Sequence, residues 1–194
     1  VVAFLTISDG NEEWFIEYDE SQNISWYYEL VNGEAVNVRT TGGNAQHLTK
    51  LVVPETLGGY PVTSLRGLPE QTWGWTTLEQ GPGNILGVSG RATPMGLPVF
   101  DNYTIKEVVL PEGLKELKRY SLAYIGNLEK INIPSTVEVI GYKALAGNVS
   151  LKEIKLEHPN NEFIYMDEYA FCDSQVERLY IDNIDTWNHD LMNR

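Results

Sequence analysis

The residue types able to do chemistry are few in this chain, and they lie apart. His47, His158 and His189 have no partner four residues away, so no helix face offers a metal-binding histidine pair. They read as surface or turn residues. Cys172 is the only cysteine, which excludes an internal disulfide and a CxxC zinc framework. A cysteine nucleophile needs a histidine beside it in space, whereas Cys172 adjoins Phe171 and reads as buried and inert. Asp9, Glu12, Glu13, Glu17, Asp19 and Glu20 crowd one early stretch, but without the DxDxDG spacing that converges oxygens on Ca²⁺. They read as a solvated acidic turn. Nothing among the 27 acids singles out a glycosidase pair. Phosphate loops, GxGxxG and HExxH are missing, and Gly87-Val88-Ser89-Gly90 lacks the last glycine of a nucleophile elbow. The expectation is a protein with no catalytic residues, no metal and no cofactor.

The remaining candidates are recognition surfaces. Trp73 and Trp75 are two residues apart, so an extended segment would turn both the same way. Exposed tryptophans stack well on proteins or sugars. Their competing role is to fold back over a flank. Trp14, Trp26 and Trp187 are expected to plug the two ends of the fold. NIS (23–25), NYT (102–104) and NVS (148–150) fit the glycosylation sequon, the last inside a repeat that explains it without sugar.

The scaffold for these residues is periodic. Leu114→Val137, Leu117→Ile140, Leu122→Leu145, Leu128→Leu151, Ile131→Ile154 and Ile133→Leu156 are each 23 residues apart, and Pro111→Pro134 keeps the step. A fixed period in the twenties means stacked coils, each burying its apolar side against the next. Five units align on an L-x-x-I-x-I strand: Leu48–Pro54, Ile105–Pro111, Leu128–Pro134, Leu151–Glu157 and Val176–Ile181. The first, fourth and sixth positions face inward. Proline then ends pairing and turns a corner. A second apolar patch follows, and a small-plus-bulky pair closes the coil: Ser121-Leu122, Ala144-Leu145, Ala170-Phe171. Leu156→Ile181 is 25, the extra residues falling in a polar turn. In the first unit the closing pair is read at Val99-Phe100, after an insertion of about residues 69–95 that bears Trp73 and Trp75.

Outward strand residues then form a ladder with rungs about 4.8 Å apart: Lys50 and Val52, Glu107 and Val109, Lys130 and Asn132, Glu153 and Lys155, Arg178 and Tyr180. Such faces commonly bind extended partners, against the plainer role of a solvated sheet with cross-strand charge pairs. Residues 1–45 do not repeat and read as strands with hairpin turns, Asn32-Gly33 above all. A β-hairpin or meander there would cover the first coil's open end. Residues 46–181 are the solenoid, and 182–194 a second cap or a truncated linker.

The units at Ile105–Pro111, Leu128–Pro134 and Leu151–Glu157 resemble the BspA-type leucine-rich repeat, whose unit reads approximately A-F-x-G-C-x-S-L-x-x-I-x-I-P. Ala144-Leu145-Ala146-Gly147-Asn148-Val149-Ser150-Leu151-Lys152-Glu153-Ile154 follows it, with Asn148 at the cysteine position. Ala170-Phe171 keeps the closing pair, and Val53–Leu65 (VPETLGGYPVTSL) resembles the family's common first unit. The resemblance implies a β-rich, right-handed solenoid of parallel strands with short helical turns. It also implies a bacterial, extracellular or cell-surface location, and adhesion to host or matrix proteins. It supplies no catalytic residues. The expected function is non-catalytic binding of a protein or glycan. The alternatives are a carbohydrate-binding module using Trp73 and Trp75, or a spacer displaying another domain.

Composition agrees. At net charge −13 the chain opposes nucleic acid and anionic membrane surfaces. No apolar run reaches the roughly 18 residues of a spanning helix, so no membrane insertion is expected. Val1–Ile7 reads as a first strand, not a signal peptide. Oligomeric state is left open.

Overall fold

The computed structural model describes residues 7–9, 12–40, 45–67, 85, 91–92, 98–99, 104–156, 164–167 and 169–181. Trp73, Trp75, Trp187, His158, His189 and the tail from residue 182 lie outside them.

The chain opens as an antiparallel meander of β1 (Ile7–Asp9), β2 (Glu12–Asp19), β3 (Ile24–Val31) and β4 (Glu34–Arg39), paired in that order. Asn32 and Gly33 take φ of 51° and 79° in the β3–β4 turn. Both central residues of a tight hairpin turn need a left-handed backbone, which Asn-Gly provides. Val38 and Ala35 are buried, as are Ile24, Trp26 and Tyr28 on β3.

From residue 45 onward the described units build two columns of parallel strands. In the first column β5 (Lys50–Val52) pairs with β10 (Glu107–Val109), and β10 with β12 (Lys130–Ile131). Further along, β14 (Glu153–Leu156) pairs with β16 (Arg178–Ile181) in parallel, Leu156 opposite Ile181. The 23- and 25-residue steps are therefore the strand register. The expected unbroken ladder is interrupted once: β12 and β14 touch but belong to separate sheets. β12 is only two residues long, and Pro134 soon removes a backbone donor.

The second column was visible in sequence only as an apolar patch. It consists of β11 (Glu116–Leu117), β13 (Val139–Ile140) and β15 (Tyr165–Met166), parallel and in register. Its start lies in the meander. Val62 and Leu65 bridge in parallel to Ala35 and Val38, and Ser64 bridges to Glu116. Thus β4, the 62–65 segment and β11 run side by side as successive rungs. Between them lies the hairpin of β6 (Thr56–Leu57) and β7 (Tyr60–Pro61). Its turn holds Gly58 at φ 59°, where a Cβ would stand 2.6 Å from the Tyr28 hydroxyl. The LGGY phrase is thus required by backbone sign and by close approach to the meander.

One difference concerns the first unit. Ile85 is fully buried, and its N–H donates to Ser121 O at 2.7 Å. Leu122 N donates to Ala144 O and Leu145 N to Ala170 O in the same way. Ile85 therefore occupies the coil-closing position that spacing assigned to Val99-Phe100. Val99 instead lies in the hairpin of β8 (Arg91–Ala92) and β9 (Pro98–Val99).

A second difference concerns the turns. The named elements are all strands, and Ala45 is the one helical residue among those described. Where short helical turns were expected, left-handed residues recur: Tyr120, Lys143 and Tyr169 at one position, Tyr124, Gly147 and Asp173 at another. A left-handed φ ends any right-handed helix at once. No helix among the described residues is long and apolar enough to cross a membrane.

The inward positions of the first four strands are buried or half-buried as expected, from Leu51 and Val53 to Ile154 and Leu156. They form one contiguous core running from Ile24 and Trp26 to Phe171 and Val176. Each fully buried aliphatic side chain contributes about 1.5–3 kcal/mol.

Candidate functional site

The outward side chains of the first column lie as the periodicity predicts. Glu107 stands between Lys50 and Lys130, with Nζ–Oε1 distances of 3.2 and 3.4 Å. Farther along, Arg178 Nε meets Glu153 Oε2 at 3.0 Å. The signs therefore alternate from rung to rung. The preceding strand position alternates in the opposite phase. Lys106 meets Glu129 at 2.9 Å and Lys152 meets Glu177 at 3.6 Å. That second row was missed in sequence, although Lys106, Glu129 and Lys152 keep the 23-residue step. Lys50 and Lys130 hold the Glu107 carboxyl below the usual carboxylate range. A carboxylate between two ammonium groups costs more to protonate.

The third row carries Val52, Val109, Asn132, Lys155 and Tyr180. Val52 and Tyr180 are 37% and 49% exposed, and the Lys155 ammonium lies 5.9 Å from the Tyr180 ring. Asn132 is exposed but committed. Its Oδ1 accepts from Leu110 N at 2.9 Å and its Nδ2 donates to Leu110 O at 3.1 Å. The amide thus continues the ladder where β12 has ended.

Gln22, in the β2–β3 turn, does the same at the other end. Its Oε1 accepts from Val52 N at 2.8 Å and its Nε2 donates to Val52 O at 2.7 Å. Asp19 fixes that amide by accepting from Nε2 at 2.7 Å. Burial opposes the Asp19 charge, but hydrogen bonds from Ser21, Gln22 and Trp26 outweigh it and lower the pKa. Glu17 Oε2 accepts from Gly58 N at 2.6 Å. Asp19, through Gln22, and Glu17 thus hold the meander to the first unit. Among the described residues, no group of three or more His, Cys, Asp or Glu could hold a metal ion.

His47 Nε2 lies 2.7 Å from Gln22 O. Cys172 is buried beside Ala123 and Ala146, one per unit. Burial, together with its hydrogen bond to Asp173 and that carboxylate's charge, pushes its thiol pKa up, the reverse of what a nucleophile needs. Asn148 is fully buried and makes three backbone hydrogen bonds, so its sequon is closed in the folded chain.

The repeat geometry has a counterpart among known families. A model of the BspA type leucine rich repeat region matches residues 91–191 in six copies, just over half of the chain. The chain belongs to this BspA-type leucine-rich-repeat family. The crystal structure of a leucine-rich repeat protein from Bacteroides capillosus is similar, at TM-score 0.50 and 18% identity. The alignment covers 91% of this chain and 98% of that one. This likeness concerns the leucine-rich-repeat fold alone. A leucine-rich repeat protein from Bacteroides ovatus aligns at 16% identity and TM-score 0.40, over 81% of this chain and 39% of that chain. No curated protein matches the chain. The BspA-type match starts downstream of the first unit, whose LGGY hairpin and Ile85 closure are the least regular part of the repeat array.

Proposed function

We propose that the chain is a non-catalytic binding protein, secreted or attached to a bacterial surface, that recognises a host or matrix protein or glycan through the outward face of its first column. In this reading the units wind as a right-handed solenoid and the meander is its N-terminal cap. The observation that carries the proposal is the pair of registered groups of rungs, β5–β10–β12 and β14–β16, set one after the other. Lys50, Glu107, Lys130, Glu153 and Arg178 occupy equivalent places, beside Val52, Val109, Lys155 and Tyr180. A ladder fixed by backbone pairing loses little entropy on binding. Six of the chain's 14 basic residues stand on this face (Lys50, Lys106, Lys130, Lys152, Lys155, Arg178) against four glutamates (Glu107, Glu129, Glu153, Glu177). In a chain of net charge −13, such a face favours an extended, acidic stretch of the partner.

Surface plasmon resonance against a panel of purified extracellular-matrix proteins tests this. Lys130→Glu/Arg178→Glu should keep the thermal midpoint within a few degrees and lose at least tenfold in affinity for any matrix protein bound. Equal binding by that variant would remove the face from recognition.

A further inference from the structure

Between the β2–β3 turn and the first unit lies a groove of about 490 Å³. Its apolar lining comes from Tyr18, Val52, Pro54 and Leu57. Tyr18 and Val52 are exposed, while Leu57 is buried. Three carboxylates, Glu17, Asp19 and Glu20, line the same groove. Its size is that of an ordinary ligand cleft.

The charges in this groove are held in place but not balanced. Asp19 accepts from Ser21 Oγ at 2.6 Å, Gln22 Nε2 at 2.7 Å and Trp26 Nε1 at 3.4 Å, and Glu17 accepts from Gly58 N. These donors are all neutral, so the negative charge remains. Among the described residues, no ion pair includes Glu17, Asp19 or Glu20. On the first-column face, by contrast, Glu107, Glu129, Glu153 and Glu177 each meet a lysine or an arginine. An unbalanced anionic lining beside an apolar one suits a side chain with an aliphatic stem and a cationic head. A guanidinium adds what an ammonium lacks: it stacks on a ring such as Tyr18, and its fork matches a carboxylate. Gln22 sets the mode of approach. Its amide occupies both Val52 N and Val52 O, so the outer edge of β5 is closed to an added strand at that residue. A partner reaches the groove there through a side chain.

We propose that this groove takes an arginine side chain from an extended segment of a partner protein. The proposal rests on the reading of the chain as a binding protein and deepens it. Val52 belongs both to the groove and to the first-column face, so a segment anchored here continues onto that face. The partner segment is then dipolar: its arginine lies at the meander end, and its acidic residues lie over Lys50 and Lys130. An anionic glycan is repelled from the groove, and a neutral sugar leaves three carboxylates unbalanced.

Fluorescence anisotropy with three labelled peptides of equal length tests the groove. Each carries three arginines, three lysines or three leucines in an otherwise glycine–serine sequence. Two variants with the same charge change are compared: Glu17→Gln/Glu20→Gln in the groove, and Glu112→Gln/Glu138→Gln at exposed positions elsewhere. The expected result is that the arginine peptide binds, the lysine peptide at least threefold more weakly and the leucine peptide at least tenfold more weakly. The groove variant should lose at least fivefold for the arginine peptide, and the other variant less than twofold. Should the groove variant unfold early, Glu20→Gln against Glu112→Gln carries the same comparison with a smaller expected loss. No binding of the arginine peptide, or equal losses in both variants, would overturn the proposal. So would lysine or leucine peptides held as tightly as the arginine one. These peptides carry no acidic residue, so a failure here leaves the matrix-protein panel to judge the first-column face separately.

Discussion

Asn148 accepts a hydrogen bond from the Ile125 backbone N–H at 2.9 Å, 23 residues back and one unit away. Its Nδ2 donates to Leu122 O at 3.0 Å and to Leu145 O at 2.8 Å. One fully buried amide thus ties the turn of its own unit to the turn before it. Asn148→Leu strands a buried donor and two acceptors. The expected loss is about 3 kcal/mol, read from the midpoint and slope of urea unfolding. A change within experimental scatter would contradict the role given to this amide.

Gly147, beside it, has φ of 69°, and a Cβ there would meet Tyr124 Cδ1 at 2.0 Å. Gly147→Ala is expected to cost about 1–3 kcal/mol, through backbone sign and ring displacement together. Adding Tyr124→Ala should relieve the ring clash without restoring the backbone. The double variant should therefore lose less than the sum of the two single changes, as a thermodynamic cycle would read.

Asp19 sets the direction of a pH dependence. Its folded pKa lies below the ordinary 3.8 despite the opposing effect of burial, because Ser21, Gln22 and Trp26 donate to the carboxylate. A carboxyl with a lowered folded pKa contributes its full stability above its unfolded value and loses it as pH falls through the folded value. Between pH 6 and about pH 3 the wild type should therefore lose more stability than Asp19→Asn. Parallel acid titrations followed by tryptophan fluorescence would show equal slopes if the idea is wrong.

The Glu107 ladder is exposed, so its worth depends on salt. Glu107→Lys places three like charges on neighbouring rungs and should lower the thermal midpoint at low ionic strength. The deficit should shrink toward zero in about 1 M NaCl, where the screening length is near 3 Å. A deficit independent of salt would point to packing instead.

Cys172 offers a check on the unit closures. Its thiol is buried, and burial together with Asp173 raises its pKa. Iodoacetamide at pH 8 should modify it at least 100-fold more slowly in the folded protein than in urea. Rapid labelling of the folded chain would mean that this corner opens.

The repeat was legible because a coil must place an apolar residue against the same residue of its neighbour, which fixes the 23-residue step of Leu128 and Leu151. The strands of the second column were not legible, since a pair such as Val139–Ile140 is too short to show alternation. The junction of β4 with the 62–65 segment lies outside the period altogether. Ile85 is hidden within a stretch of glycine and proline breakers. The outward face was legible residue by residue, but the role of Asn132 was not, because a side-chain amide imitating a peptide leaves no trace in spacing.

The opposite phasing of charge in the two outer rows constrains how such an array can change length. Deleting the unit that carries Glu129 and Lys130 would set Glu107 beside Glu153 and Lys106 beside Lys152. Removing two adjacent units would instead bring Glu107 to Arg178 and Lys106 to Glu177. Recombination that gains or loses units in even numbers thus conserves attraction at the seam, and odd numbers meet repulsion, so duplication in pairs is the less costly evolutionary route.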